Sequence, residues 1–156
     1  MSTRHVMAFA AAGFLACAHS MIQGTQVRDT PDNRQVLTVV HKAMAALRER
    51  DMTALLALIS PRYFEDNGTA DQGDDYGYQQ LKDKILPEIT KLAQEVQIDV
   101  EVQDIAVEGD RARADVRYQS RAQLALPAGT KWDSNKEFNR IELVREGGGW
   151  LIVGGL

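Results

Sequence analysis

Val96-Gln97-Ile98-Asp99-Val100-Glu101-Val102 alternates apolar and polar side chains, the period of a β-strand with one face buried. Gln103-Asp104 breaks the rhythm, and Ile105 and Val107 continue apolar on the opposite parity. Gly109-Asp110 then supplies a two-residue hairpin turn, with glycine meeting the positive φ such turns need. The return stretch carries Ala112, Ala114, Val116 and Tyr118 on one face. Pairing across the turn sets Val107 against Ala112 and Ile105 against Ala114. Val102 meets Val116 only if one residue is skipped, which predicts a bulge near Gln103-Asp104 and a bent sheet. Further on, Phe138 to Arg145 and Trp150 to Val153 read as a second hairpin about Gly147 to Gly149.

Upstream the period is helical. Thr30-Pro31-Asp32 is a helix start, with a capping hydroxyl, a proline at the first helical position and an acid near the positive end of the dipole. Val36, Val40, Ala43, Met44 and Leu47 follow as one apolar stripe ending at about Arg50. Asp51 caps a short second helix carrying Leu55, Leu56 and Ile59, and Ser60-Pro61 stops it. A third helix is expected from about Tyr78, with Leu81, Ile85, Ile89 and Leu92 on one face and Pro87 kinking or dividing it. Three helices before a bent antiparallel sheet make an α+β fold, the helices on one face of the sheet.

In this arrangement the chain resembles the nuclear transport factor 2-like superfamily (NTF2-like), which includes the SnoaL-like and steroid-isomerase-like proteins. The resemblance covers about Asp32 to Leu156. It rests on Leu47-Arg48-Glu49-Arg50-Asp51, on Leu55 to Ile59 leading into Tyr63-Phe64-Glu65-Asp66, and on Glu142-Leu143-Val144-Arg145-Glu146 through Trp150-Leu151-Ile152-Val153. It implies a cone of curved antiparallel sheet packed against three N-terminal helices. The superfamily holds isomerases, dehydratases, cyclases and non-catalytic binding modules, so fold alone does not choose among them. Related domains often dimerise through the outer face of the sheet, which makes a homodimer an expected partner state.

Two residues are candidates for proton transfer. The steroid-isomerase branch places an aspartate general base after the second helix, where Asp66 stands here. That branch also needs a donor for the enolate oxygen, and the tyrosine of its first helix falls near Ala43, which has no hydroxyl. Asp66 before Asn67-Gly68 equally suits a turn. His41 is the second candidate, matching a proton carrier that some polyketide-cyclase relatives hold in the cone, or else it is a surface residue of the first helix. Tyr63, Tyr76, Tyr118 and Trp132, with Tyr78, are the aromatic side chains suited to line a pocket for a small apolar ligand. Arg111, Arg113, Arg117 and Arg121 share a strand face, with Arg117 opposite Glu101 and Arg121 near Gln97 and Asp99.

Cofactor chemistry finds no motif. Glu65, Asp66, Asp71, Asp74 and Asp75 lack the alternation and distal glutamate of a calcium loop. No His/Cys pair has zinc-ligand spacing, and neither a nucleophile elbow nor a phosphate-cradling glycine loop is present. A net charge of −4 and the lack of a basic, aromatic-studded cluster argue against nucleic acid as a partner.

The N-terminus carries an address. Arg4 and His5 lead into an apolar run from Val6 to Ala16, ending at Cys17, the single cysteine. The run is shorter than the roughly 20 residues of a bilayer span and has the length of an export signal's hydrophobic region. Phe14-Leu15-Ala16-Cys17 resembles a bacterial lipoprotein signal, in which the cysteine is lipidated and becomes the new N-terminus. Ala16-Cys17-Ala18 also fits ordinary cleavage before His19, which would release a secreted soluble protein. Ala18 rather than aspartate after the cysteine is the usual outer-membrane sorting pattern of the class. The expected organisation is a signal over 1–17, a tether over 18–29 and the domain over 30–156. The expected role is an envelope-anchored binding or accessory module facing the periplasm. The alternatives are an isomerase or dehydratase using Asp66, and a structural partner in an envelope assembly. A palmitate tracer is expected to label the wild type and not Cys17→Ser; equal labelling removes the lipoprotein reading.

Overall fold

A computed structural model describes residues 20–68 and 73–156; Cys17 and Asp71 lie outside them. Helix α1 (Pro31–Glu49) starts where the sequence places it, with the Thr30 hydroxyl accepting the Asn33 N–H at 3.1 Å and Pro31 opening the first turn. Its stripe of Val36, Val40 and Ala43 is fully buried, each large side chain contributing roughly 1.5–3 kcal/mol. Arg50 ends the helix in the left-handed conformation, φ 58°, and its guanidinium donates to the Thr90 and Gln94 carbonyls. Helix α2 (Met52–Leu56) is capped by Asp51, whose Oδ1 accepts the Ala54 N–H at 2.9 Å.

The short strands β1 (Phe64–Glu65) and β2 (Tyr76–Gly77) pair antiparallel. The third helical stretch runs as α3 (Tyr78–Gln80), a π-helical turn over Leu81–Ile85, and α4 (Leu86–Leu92). Pro87 therefore divides the helix, as its missing N–H and its clash with the preceding turn require. The wider turn also rotates the apolar face. Leu81 and Leu86 are buried, whereas Ile89 and Leu92 are 45% and 47% exposed, so the expected stripe fails beyond Ile85.

Four strands follow in the order β3 (Ala93–Glu108), β4 (Arg111–Leu126), β5 (Gly129–Glu146) and β6 (Gly149–Gly154), all antiparallel neighbours. The first hairpin has the expected register, with Val107 opposite Ala112, Ile105 opposite Ala114 and Val102 opposite Val116. Gln103 is the extra residue, since Asp104 already faces Asp115. Gly109 turns the chain at φ 61°. The second hairpin is also present, but β5 begins at Gly129, well before Phe138. Its polar half, 129–137, is exposed throughout and carries no apolar alternation.

Pairing in register places Val102, Ile105, Ala112, Ala114, Val116, Ile141, Leu143, Trp150 and Ile152 on the helix side of the sheet, where all are buried. Helix α1 packs there, chiefly on β3. Arg145 clamps its first turn, pairing with Asp32 at 2.6 Å while lying 4.3 Å above the Trp150 ring. A partly exposed ion pair adds at most about 1 kcal/mol and the cation–π contact about as much. The resulting fold is α+β, a curved antiparallel sheet closed by helices.

Residues 20–29 are not a free tether. Met21 bridges Arg28, the Ile22 N–H donates to the Val27 carbonyl at 2.9 Å, and Asn33 Nδ2 donates to the Arg28 carbonyl at 2.9 Å. Val27 is fully buried in the core. Val27→Ala is therefore expected to cost roughly 1–3 kcal/mol in chemical denaturation, whereas a residue in a loose linker would cost nothing measurable.

Candidate functional site

The segment after α2 is fastened to the end of the sheet before it reaches the groove. The Ser60 N–H donates to the Ile152 carbonyl at 2.8 Å, and the buried Ser60 hydroxyl donates to Glu146 at 3.0 Å. Arg62 pairs with the same carboxylate at 2.5 Å. This anchoring delivers Tyr63 to the interior, where its ring is buried and lies 6.2 Å, centroid to centroid, from that of Tyr76. The Tyr63 hydroxyl donates to Glu65 Oε2 at 2.9 Å, and the Gly155 N–H donates to the same oxygen at 2.8 Å. Glu65 thus stitches β1 to the residues following β6. Only glycine fits at 155, because φ is +78° and a β-carbon would lie 1.8 Å from the Arg140 carbonyl oxygen.

Burial, more than its neighbours Tyr76 and Glu65, pushes the Tyr63 hydroxyl far above the ordinary tyrosine range. Tyr76 is raised for the same reason. Tyr118 is pushed up to about 12 by burial, then by its hydrogen bond to Glu137 and that group's charge. Glu137 is held below the usual carboxylate range by hydrogen bonds from Asn135 and Tyr118. These phenols keep their protons at neutral pH, and Tyr63 and Tyr118 donate theirs to Glu65 and Glu137.

Beside this cluster lies an open groove of about 950 Å³. Its floor is the sheet face turned away from the helices, with Arg111, Arg113, Phe138, Arg140, Glu142, Val144 and Val153. Phe64, Asp66 and Leu156 form one wall, and past the end of β6 the groove reaches Tyr118, Glu137 and Asn139. Both signs of charge line it. Under α1 the helix side is filled by the core residues named above; Tyr118, Glu137 and Asn139 share that side beyond them and meet the groove round the end of β6. A second groove of about 420 Å³ lies between the turn at Gly24–Gln26, His41 and the β3 edge from Val100 to Gln103.

The expected site residues do not converge. Asp66 is exposed at the rim of the large groove, and its Oδ1 accepts the Gly68 N–H at 3.0 Å, the geometry of a turn-forming aspartate. His41 is exposed in the other groove. Tyr118 lines the large groove, whereas Tyr63, Tyr76 and Trp132 are not among its lining residues. Trp132 sits on the outer sheet face with Arg121 stacked 4.9 Å above its ring. Arg117 pairs with Glu101 as the register requires. No group of acids, histidines or cysteines among the described residues has the geometry to hold a metal ion. Sequence reading missed Glu65, whose partner Gly155 lies ninety residues away; no local signal marks such a contact.

Comparison with solved structures supplies the frame. An NTF2-like superfamily protein from Salmonella enterica serovar Typhimurium is 14% identical, covering 78% of this chain and 86% of its own, with a TM-score of 0.63. A conserved protein from Planctomyces limnophilus matches at 13% identity over 80% and 92%, TM-score 0.68. A candidate dehydratase of the NTF2-like family from Streptomyces avermitilis matches at 18% over 80% and 93%, TM-score 0.63. The fold is NTF2-like. By sequence the chain matches no family model and no curated protein. The chain has the curved sheet and helical cover of that fold, and its large groove runs over the outer sheet face and round the end of β6 to Tyr118 and Asn139.

The Tyr118 shift has a definite sign. Its folded value of about 12 exceeds the unfolded value of about 10, so its contribution to stability is full below pH ~10 and is lost as pH rises through about 12. The denaturation midpoint of the wild type is expected to fall with pH across that window. Tyr118→Phe is expected to reduce the slope there, and an unchanged slope would show that this phenol is freely solvated.

Proposed function

We propose that this chain is an envelope-anchored lipoprotein of the outer membrane, facing the periplasm, whose NTF2-like domain binds a small amphipathic molecule without transforming it. The carrying observation is the groove of about 950 Å³, in which Phe64, Phe138, Val144 and Val153 alternate with arginines and carboxylates. Such a lining recognises a molecule with an apolar body and charged ends. The chemistry of the groove supports binding over turnover, because the Asp66 carboxylate is engaged by the Gly68 N–H and His41 lies in a different groove. Trp132, 39% exposed on the outer sheet face and outside the groove lining, supports a second copy of the chain as a partner across that part of the sheet.

A second reading, an isomerase or dehydratase, draws on the likeness to the Streptomyces avermitilis candidate dehydratase and on the carboxylate of Asp66 at the groove rim. One experiment separates them. A thermal-shift screen against steroid-like and polyketide-like compounds finds ligands, since binding to the native state alone raises the melting point. Asp66→Asn is then expected to leave affinity within about twofold of wild type, because an amide keeps the turn. Turnover by the wild type that vanishes in Asp66→Asn would overturn the binding reading.

A further inference from the structure

The length of chain between the anchoring cysteine and the fold decides how the domain meets the membrane. Cys17 and Ser20 are three residues apart, a reach of at most about 11 Å however the chain is drawn out. At Ser20 the chain is already fastened, its carbonyl accepting the Asp29 N–H at 2.7 Å, and Met21 bridges Arg28. Fully buried Val27 pins this turn to the core, and Asn33 of α1 holds the Arg28 carbonyl. Such a turn cannot pay out as slack without exposing Val27.

We propose that the domain is held with its helical layer against the lipid surface and its large groove turned away from it. The inference rests on the lipoprotein reading above. The turn over 20–29 lies beside α1, with Gly24, Thr25 and Gln26 facing His41. Helix α1 covers one face of the sheet, whereas the groove floor of Arg111, Arg113, Glu142 and Val144 is on the other. A three-residue leash at the helical layer therefore brings that layer to the headgroups. Met21 is 56% exposed at the point nearest the anchor, an apolar side chain suited to the headgroup boundary. Lys42 and Arg48 are exposed along α1, cations that an anionic leaflet attracts, whereas Arg34 is paired with Asp29 at 2.5 Å. The groove faces the aqueous compartment, free to receive its ligand while the protein is anchored.

The test uses the lipidated full-length protein carrying one added cysteine, Met21→Cys or Gln119→Cys, the latter on the exposed outer sheet face. A fluorophore is attached to the free thiol, and the protein is placed in phosphatidylethanolamine–phosphatidylglycerol vesicles containing headgroup-nitroxide lipids. Quenching is expected to be several-fold greater at position 21 than at 119. A flexible glycine–serine insertion between Ala18 and His19 is expected to abolish the difference. Equal quenching at both sites, in protein that takes one label per chain, overturns the orientation alone. Two labels per chain would mean that Cys17 is a free thiol, and the anchoring reading then falls together with this one.

Discussion

A sixteen-residue edge strand that must keep its apolar side chains on one side of a sheet governs this structure. Val96, Ile98, Val100 and Val102 are on one parity and Ile105 and Val107 on the other, so a regular strand would turn one set to water. Gln103 resolves the conflict by standing unpaired, two residues on β3 spanning one step on β4. The price is a bend. That bend curves the sheet around α1 and lets Val102, Ile105, Ala114 and Val116 share one buried layer. The inward placement of β5 and β6 follows by register from β4.

Filling that layer has a functional consequence. A cone becomes a binding site when its interior is left open, and here aliphatic side chains occupy it. Free surface then remains on the opposite face, where β6 pairs only with Glu142–Glu146 and leaves the rest of β5 uncovered on that side. Residues after β6 fold back beside that gap, held through Gly155 by Glu65 and through Leu156 by the Tyr63 hydroxyl. The groove wall is thus made of backbone fastened to a buried phenol. Such a wall is preformed, and a ligand meeting it loses little free energy to reorganisation.

The hairpins and α1 were legible because each repeats an apolar residue at a fixed period against a single buried face. The register around Gln103 followed from counting alone. The stripe of the third helix was legible only to Ile85, because a π-helical turn ahead of Pro87 changes the number of residues per turn and periodicity assumes it constant. The first half of β5 was silent for a different reason. Both its faces are wet, so Thr130 to Glu137 has no buried side to write an alternation. The same absence of pattern hid the 20–29 turn, where a single residue, Val27, carries the burial. The candidate site was the least legible part, since Tyr63, Glu65 and Gly155 are joined only by the closing of the fold.

The far arm formed by β4 and β5 illustrates how such a wet region is held. Beyond Tyr118, β4 keeps β3 as a neighbour as far as Leu124, while toward β5 the contacts are lateral: Arg121 over Trp132, Tyr118 to Glu137 and the backbone ladder itself. Cross-strand pairs of this kind contribute roughly 0.2–1 kcal/mol each, far less than the buried layer supplies near Val116. Local stability should therefore decline along the arm, from a rigid base under α1 to a compliant tip at Leu126. Tyr118, Glu137 and Asn139 lie where the two regimes meet and also line the groove. On the binding reading proposed above, a firm floor with an adjustable rim would suit ligands of different length.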